Sequence, residues 1–288
     1  MADTTGEADL RAQNVERVVK GFALQEYKMK QVVMIQPSNS WKESYYQEGS
    51  SELTGGTGSA VKGIPRLANF PYGEPNWTLA NSYLEKYGME GVISWEDAKT
   101  NAVDVIARTL LRIARAVANA VDAEIYAQLL ANKGNTVTIP GGSEWNSATV
   151  ANRDPIQDVL NAIKENFIDN YDVLTGEGYL LLNPIEFALM LGNANVRNAG
   201  QFYTDDVTRN GRVGRLCGLN VVVSNVVTTD TGTLVVKGKE CGTWKAAAPL
   251  TVVTIEDPGI KYTIRAWEVG VTQVTNPNAV CLITNTTT

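Results

Sequence analysis

The longest regular pattern of apolar and polar positions covers residues 94–132 and predicts one uninterrupted helix. Ser94 is a suitable N-cap, and Asp97 follows three residues later, as in a capping box. Neither proline nor glycine occurs before Gly134, where the helix is expected to end. At 1.5 Å per residue such a helix is about 57 Å long. The rest of the fold is therefore expected to be arranged around it.

The predicted helix has three faces of different chemistry. One face is apolar and expected to be buried: Val103, Ile106, Leu110, Ile113, Val117, Val121 and Ile125. A second face carries mostly small residues, which predicts close approach by a sheet or another helix: Ala98, Ala102, Val105, Thr109, Ala116, Ala120, Ala123, Ala127 and Ala131. The third face is polar and expected to meet solvent: Asp104, Arg108, Arg112, Arg115, Asn119 and Asp122. A helix buried on two sides is a spine between layers.

The chain that precedes this helix is predicted to contain an arm and a long hairpin. Residues 15–33 have helical potential but few apolar positions to bury, so they are expected to pack on another part of the protein. Residues 41–46 and 61–70 are predicted to be the two strands of the hairpin, with the glycine-rich residues 49–63 as its tip. An isolated hairpin is only marginally stable in water, so one this long needs another surface to lie on.

A strand pair is predicted in residues 76–93, directly before the helix. The residues expected on its buried side are Leu79, Tyr83 and Tyr87.

The chain after the helix alternates between short strands and short helices, which is typical of an α/β block. Helices are expected from Pro155, at a first helical position, and over residues 184–191. Residues 239–247 are expected to be a turn region. The predicted strands cover residues 135–140, 178–183, 221–227, 233–236 and 250–255. The terminal residues 260–274 and 279–283 predict a long hairpin turned at residues 276–278.

Composition excludes several classes of protein. The chain has 288 residues, of which 44% are hydrophobic and 19% charged, so it is able to bury a core. Its net charge of −6 argues against a sequence-independent nucleic-acid binder, which would carry a basic face. No apolar run approaches the roughly 18 residues of a membrane span, and the acidic, polar N-terminus is unlike a signal peptide.

Candidate catalytic and cofactor chemistry is sparse. Histidine is absent, which removes the commonest general base and metal ligand. The glycine-rich residues 55–63 do not fit the phosphate-loop pattern, and residues 211–215 precede a strand instead of following one. Cys217, Cys241 and Cys281 are far apart and are expected to be buried, reduced thiols. We expect no catalytic residue, no metal site and no cofactor.

The order of the predicted elements is similar to that of the tailed-phage major capsid proteins with the HK97 fold, which is of α+β class. That order is an arm, a long glycine-rich hairpin, a strand pair, a spine helix, a compact α/β block and returning strands. The matching stretches are residues 81–88 (NSYLEKYG), 93–97 (ISWED), 121–126 (VDAEIY), 181–184 (LLNP), 218–224 (GLNVVVS) and 275–280 (TNPNAV).

The resemblance implies a domain organisation and a function. The implied domains are an N-terminal arm (1–40), an extended E-loop hairpin (41–75), a peripheral domain with the spine helix at about 94–132 (76–152 and 256–288), and an α/β axial domain (153–255). The implied function is self-assembly into hexamers and pentamers of an icosahedral shell around a double-stranded DNA genome. The implied partners are further copies of the chain, a separate scaffolding protein, a portal and a decoration protein, with weak DNA contact and no membrane. The implied location is the virion, assembled in the host cytoplasm.

The resemblance also indicates which residues meet other subunits. The E-loop residues expected to contact a neighbour are Lys62, Arg66, Trp41 and Tyr45. An acidic patch expected to receive them on that neighbour comprises Glu85, Glu90, Glu96 and Asp97. The arginines Arg108, Arg112 and Arg115 on the spine helix are expected to face the shell interior, where they meet either DNA or carboxylates of adjacent chains.

Two other functions remain open at this point. An encapsulin shell would share the fold and hold a cargo enzyme in place of a genome. An α+β enzyme is the other alternative, and the absence of histidine counts against it.

Overall fold

The computed structural model describes residues 15, 17–20, 27–48, 65–69, 77–100, 103–165, 178–196, 214–236 and 238–288. Its helices, in chain order, are α1 Trp95–Lys99, α2 Val103–Ala131, α3 Pro155–Glu165, α4 Pro184–Gly192 and α5 Gly238–Cys241. Its strands are β1 Met34–Pro37, β2 Lys42–Glu48, β3 Trp77–Tyr83, β4 Glu85–Ser94, β5 Asn135–Thr138, β6 Tyr179–Leu182, β7 Arg215–Leu216, β8 Leu219–Val223, β9 Thr231–Val235, β10 Gly242–Asp257, β11 Lys261–Val274 and β12 Val280–Thr284.

The predicted spine helix is present, but it is not uninterrupted from Ser94. Ser94 caps the short helix α1 as predicted, because its hydroxyl oxygen accepts a hydrogen bond from the backbone N–H of Asp97 at 3.1 Å. This helix ends at Thr100, whose backbone N–H and hydroxyl both donate to the carbonyl oxygen of Glu96, at 2.8 and 2.9 Å. A threonine hydroxyl that bonds the carbonyl four residues back competes with regular helix geometry. The long helix α2 is described from Val103 onward.

The first sheet has four strands in the order β1-β10-β11-β4. Strand β1 is parallel to β10, and the other neighbours are antiparallel. The prediction of a turn region at residues 239–247 is wrong, because α5 ends at Cys241 and β10 begins at Gly242. Residues 243–246 lack a strand-like alternation of their own, and they are extended because they pair with both β1 and β11.

The second sheet has six strands in the order β5-β12-β9-β6-β8-β7. It contains β12, whereas β11 lies in the first sheet, so the predicted terminal hairpin is wrong. The chain crosses between the sheets through a 3₁₀ turn at Pro277–Ala279. Bonds to other elements fix this crossing: Gly134 donates to the carbonyls of Pro277 and Val280, and Thr275 donates to that of Cys241.

The predicted domain boundary at residue 255 does not separate the two sheets. It falls inside β10, which runs from Gly242 to Asp257. Strands β5 and β12, which lie in the ranges predicted as peripheral, belong to the six-stranded sheet. Strands β10 and β11 join the four-stranded sheet between β9 and β12 of the six-stranded sheet, because long-range pairing and not sequence position decides sheet membership.

The third sheet is a two-stranded ribbon of β2 and β3. The first predicted hairpin strand is confirmed, but its partner is β3 and not residues 61–70. Of that stretch, residues 65–69 contain no strand, and residues 61–64 and 70 lie outside the described residues, as does the predicted tip at 49–63. Strands β3 and β4 do not pair with each other either, since β4 joins β11.

The main core surrounds α2. The predicted apolar face is buried at Leu110, Ile113, Val117, Val121 and Ile125, while the side chains of Val103 and Ile106 lie outside the described residues. The small-residue face is wrong over its second half, because its alanines there are exposed: Ala120, Ala123, Ala127 and Ala131.

Close approach of a sheet to α2 occurs at Gly91 of β4, beside Thr109 of the small-residue face and Ile113 of the apolar face. A Cβ atom there would stand 2.5 Å from Cδ1 of Ile113 and 2.8 Å from Cγ2 of Thr109. The glycine thus lets the four-stranded sheet lie directly on the helix.

Candidate subunit interface

The β2–β3 ribbon turns a mainly polar face toward its own subunit. Gln47 donates from its amide nitrogen to Oδ1 of Asn132 at 3.0 Å and to the carbonyl of Val274 at 3.1 Å. On the other strand, the Ser82 hydroxyl accepts a hydrogen bond from the Gln273 side chain at 3.0 Å. Tyr45 points the same way and is half-buried, and this burial raises the pKa of its phenol. These contacts attach the ribbon to the end of α2 and to β11.

The opposite face of the ribbon is exposed, and it carries large aromatic and apolar side chains beside polar ones such as Ser44. Tyr46, Trp77, Leu79 and Tyr83 are between 49% and 65% exposed. Tyr46 and Trp77 form an edge-to-face pair with ring centroids 5.9 Å apart. The prediction that Leu79 and Tyr83 are buried is therefore wrong. Large apolar side chains therefore lie on the face that points away from the protein, whereas on a monomer they usually lie on the buried face.

The predicted E-loop contacts fall in different places. Trp41, just before β2, is exposed, and Arg66 is exposed within residues 65–69. Tyr45 faces its own subunit, and Lys62 lies outside the described residues. The aromatic face named above, made of Tyr46, Trp77, Leu79 and Tyr83, was not predicted as a contact. The available sequence signal was the period of two in each strand. It places Ser44, Tyr46 and Asn81 on one face and Glu43, Tyr45 and Ser82 on the other.

The four-stranded sheet also leaves one face uncovered. Its inner face packs on α2 through residues such as Ile93, Ile264 and Val252. Its outer face carries two rows across the strands: Val92–Thr263–Ile255 and Glu90–Arg265–Val253. The apolar members of these rows, Val92, Val253 and Ile255, are exposed. We call these two rows the outer sheet face.

The predicted acidic patch is not a single patch. Glu85 and Ser94 are the two ends of β4, and at about 3.3 Å per residue they stand about 30 Å apart. Glu90 lies between them and forms an ion pair with Arg265 at 2.5 Å in the same chain. Glu96 and Asp97 are exposed in the first turn of α1. The prediction failed because an extended strand separates residues that are close in sequence.

The arginines of the spine helix lie on its polar face as predicted, while their position toward the shell interior stays a prediction. Arg108, Arg112 and Arg115 are all exposed on α2, and their spacing of four and three residues places them on one side of the helix. Asp122, which was predicted on the same polar face, is instead only 2% exposed.

Burial raises the pKa of Asp122 to about 6, and this effect exceeds the lowering by the backbone N–H groups of Lys28 and Met29 and by the nearby lysine charges. A second buried carboxylate, Glu268 of β11, was also not singled out from the sequence. Glu268 was hidden within an alternating strand pattern, and nothing in that pattern distinguishes a buried carboxylate from an exposed one.

Other chemistry is limited in the part of the chain that the structure describes. No group of three or more Cys, Asp or Glu side chains there is arranged to hold a metal ion. Cys241 and Cys281 are buried, as predicted, and burial raises the pKa of each thiol to about 12, whereas Cys217 is only half-buried. Among the helices of the described ranges, none has the length and apolar character required to cross a membrane.

Comparison with known proteins gives a consistent result. A family model described as phage capsid protein matches residues 81–283. No curated protein matches the chain.

Several solved capsid structures share the fold. A virus-like particle from Pyrococcus furiosus is 9% identical with a TM-score of 0.63, and the match covers 94% of this chain and 98% of that one. The capsid of cyanophage P-SCSP1u is 13% identical with a TM-score of 0.63, covering 88% of this chain and 86% of that one. A structure of Mycobacterium phage Che8 is 16% identical with a TM-score of 0.61, covering 90% and 92%. The chain has the HK97-type α+β capsid fold, and it belongs to the phage capsid protein family.

Proposed function

We propose that this major capsid protein assembles into hexamers and pentamers, and that these close an icosahedral shell around a double-stranded DNA genome. Family membership and the shared fold support a shell-forming role. A closed ring needs a heterologous contact, in which one surface of a subunit meets a different surface of the next. The described residues offer two surfaces of this kind.

The ribbon supplies the first surface, and it is the observation that carries the proposal. The ribbon attaches by its polar face and exposes Tyr46, Trp77, Leu79 and Tyr83. Exposure of this apolar surface to water is unfavourable, and covering it would lower the free energy. Tyrosine and tryptophan are also the residues enriched at the energetic centres of interfaces. We assign a second copy of the chain as the occupant, since the fold is one that builds shells of repeated subunits.

The outer sheet face supplies the second surface. Val92, Val253 and Ile255 form an exposed apolar set, and the Glu90–Arg265 ion pair lies beside them. A two-stranded ribbon laid across three strands would cover both rows. In this arrangement the burial of apolar side chains supplies most of the binding free energy. The charged residues Arg66, Glu85, Glu96 and Asp97 form a polar rim around the contact. Lys62 remains a proposed contact outside the described residues.

A complementation experiment tests this pairing. One variant carries Tyr46→Asp and Leu79→Asp on the ribbon, and another carries Ile255→Asp on the outer sheet face. Each alone should stay monomeric in light scattering and negative-stain microscopy, because each lacks one half of the contact. An equimolar mixture should form a heterodimer that does not grow, because the intact ribbon of one variant still fits the intact sheet of the other.

The control is Asn161→Asp, which adds one negative charge, as Ile255→Asp does, on the exposed side of α3 and should assemble normally. Circular dichroism and the urea midpoint must show that every variant is folded. Assembly of the ribbon variant alone would disprove the ribbon contact. A mixture that stays monomeric would show that the ribbon and the outer sheet face are not partners.

The arginines of α2 are proposed to lie on the interior side of the shell. There Arg108, Arg112 and Arg115 meet either packaged DNA or carboxylates of adjacent subunits. Replacing all three with Gln separates the two roles. Normal particles with altered DNA retention would support contact with the genome, because glutamine cannot neutralise the phosphate charge as arginine does. Loss of assembly would support contact between subunits.

The remaining parts of the proposal follow from a structural role. The chain is proposed to act without catalysis or a cofactor, to reside in the virion after assembly in the host cytoplasm, and to meet a scaffolding protein, a portal and a decoration protein. An encapsulin-like compartment is the second candidate, since the fold is shared with a virus-like particle. Nuclease-protected DNA in purified particles would favour the capsid, and a co-purifying enzyme without DNA would favour the compartment.

A further inference from the structure

Residues 27–33, which we call the strap, cross the subunit between its two sheets. Met29, Val32 and Val33 of the strap are buried in the main core. A 3₁₀ turn at Met29–Gln31 shapes its middle, and β1 follows it into the edge of the four-stranded sheet. The strap therefore continues one sheet and passes over α2 toward the other.

Asp122 of α2 holds the start of the strap. One of its carboxylate oxygens accepts from the backbone N–H of Lys28 at 2.8 Å, and the other accepts from that of Met29 at 3.2 Å. Hydrogen bonds to an ionised acceptor are roughly twice as strong as neutral ones. A single buried side chain thus fixes two consecutive backbone groups to the spine helix.

Glu268 of β11 holds the strap to the four-stranded sheet. Its carboxylate accepts from the Tyr27 hydroxyl at 2.6 Å and from the indole N–H of Trp244 at 3.1 Å. It also forms a buried ion pair with Lys30 at 2.6 Å. The Lys30 ammonium lies 3.6 Å from the centroid of the Tyr27 ring, which adds a cation–π contact.

Lys28 reaches the other sheet. Its ammonium donates to the carbonyl oxygen of Val223 at 2.8 Å, at the end of β8. The next residue, Ser224, donates its backbone N–H to Leu182 at the end of β6 in the same sheet. The strap is thus bonded to the spine helix, to the four-stranded sheet and to the six-stranded sheet within four consecutive residues.

We propose that the strap couples the two sheets, with Asp122 and Glu268 as its anchors and Lys28 as its link to the six-stranded sheet. A change in the two hydrogen bonds between the strap and Asp122 is then transmitted through Lys28 to the ends of β8 and β6. The strap sets how far one sheet can turn against the other about the spine helix. This role belongs to the single subunit, so it does not depend on the contacts proposed above for assembly.

Hydrogen exchange on the full-length chain tests the coupling. In Asp122→Asn the amides of Lys28 and Met29 lose a charged acceptor, and their exchange should become at least tenfold faster. The coupling role predicts that the amide of Ser224 also exchanges several-fold faster, although its own bond to Leu182 is untouched. A strap that serves only local packing would leave Ser224 unchanged.

Two substitutions at Lys28 keep the test independent of folding defects. Lys28→Met removes the bond to Val223, together with one positive charge near Asp122, and should speed exchange at Ser224 while Met29 stays protected. Lys28→Arg retains a donor and should restore protection at Ser224. Lys164→Met, an exposed lysine of α3, is the matched control and should change neither amide. Unchanged exchange at Ser224 in both Asp122→Asn and Lys28→Met would overturn the proposal.

Discussion

The two larger sheets of this subunit differ in how completely they are covered. In the six-stranded sheet, three consecutive residues of β6, Leu180, Leu181 and Leu182, are fully buried, so both faces of this strand are covered. In the four-stranded sheet, α2 covers the inner face, while Val253 and Ile255 of β10 remain exposed on the outer face. One sheet has completed its core within the subunit, and the other has kept an apolar surface.

This difference separates stability from assembly. Side chains of the closed sheet lower the free energy of the folded subunit, whether or not it meets another copy. Side chains of the outer sheet face and of the ribbon gain most of their burial only in an assembly. Substitutions in the two regions should therefore give opposite results in unfolding and assembly measurements.

Leu181→Ala should have the largest effect, because it opens a cavity in the closed sheet. Truncating a buried leucine costs about 2–5 kcal/mol of unfolding free energy. Urea denaturation of the unassembled subunit measures it. The matched substitution on the open sheet is Ile255→Ala, which should cost less than about 1 kcal/mol there while still weakening assembly. Equal losses of stability at the two positions would contradict the comparison.

The pH dependence of Asp122 should be the next largest effect. Burial raises its pKa from 3.8 to about 6 in the folded state, whereas its pKa in the unfolded chain is about 3.9. The folded state then binds the proton more tightly, so ionised Asp122 costs stability above about pH 6, and this cost disappears as the pH falls toward about 4. The titratable groups that face it are Lys28, Lys30 and Tyr27.

The size of this contribution is on the order of 2–3 kcal/mol, at about 1.36 kcal/mol per pKa unit. Urea midpoints from pH 7 to pH 4 should show it as a difference between the wild-type chain and Asp122→Asn, because other carboxylates titrate equally in both. A difference that stays constant with pH would show that Asp122 titrates in the folded state as it does in the unfolded state.

Gly91→Ala should disturb the inner face of the open sheet. The new methyl group would stand 2.5 Å from Cδ1 of Ile113, and such overpacking costs about 1–3 kcal/mol. Adding Ile113→Val removes that Cδ1 atom and should recover part of the lost stability in the same denaturation assay. A double variant no more stable than Gly91→Ala alone would show that the contact with Thr109 carries the whole cost.

Arg265→Ala should have the smallest effect on stability. Both Arg265 and Glu90 are nearly half exposed, and exposed ion pairs contribute about 0–1 kcal/mol. The urea midpoint of Arg265→Ala should differ little from that of the wild-type chain, and the small difference should vanish in high salt. A loss above about 2 kcal/mol would show that the outer sheet face is more buried in the isolated subunit than its exposure indicates.

The spine helix shows how much of the fold could be predicted from local patterns. Its apolar positions from Leu110 to Ile125 repeat at the helical period, and they are buried as expected. The small-residue face was not a reliable guide, because an alanine is compatible with both close packing and solvent. Asp122 lies at the border of the apolar and polar faces, where periodicity gives no information on burial.

The strands were predicted with less success, for a physical reason. Local patterns correctly indicated extended segments at β2, β6, β11 and β12, and the pattern at β6 is a short continuous apolar run instead of an alternation. They did not reveal that β2 pairs with β3 or that β11 and β12 lie in different sheets. Pairing depends on hydrogen bonds between residues far apart in the chain, and local sequence does not encode them.

Local sequence was sufficient to predict the class of fold, the spine helix and the order of elements that marks a phage capsid protein. These depend on local periodicity, caps and turn residues. The tertiary structure alone decided which sheet each strand joined, which carboxylates were buried and which face of the ribbon pointed outward. Burial and pairing come from contacts between distant segments, and the same residues would be compatible with either outcome until those segments meet.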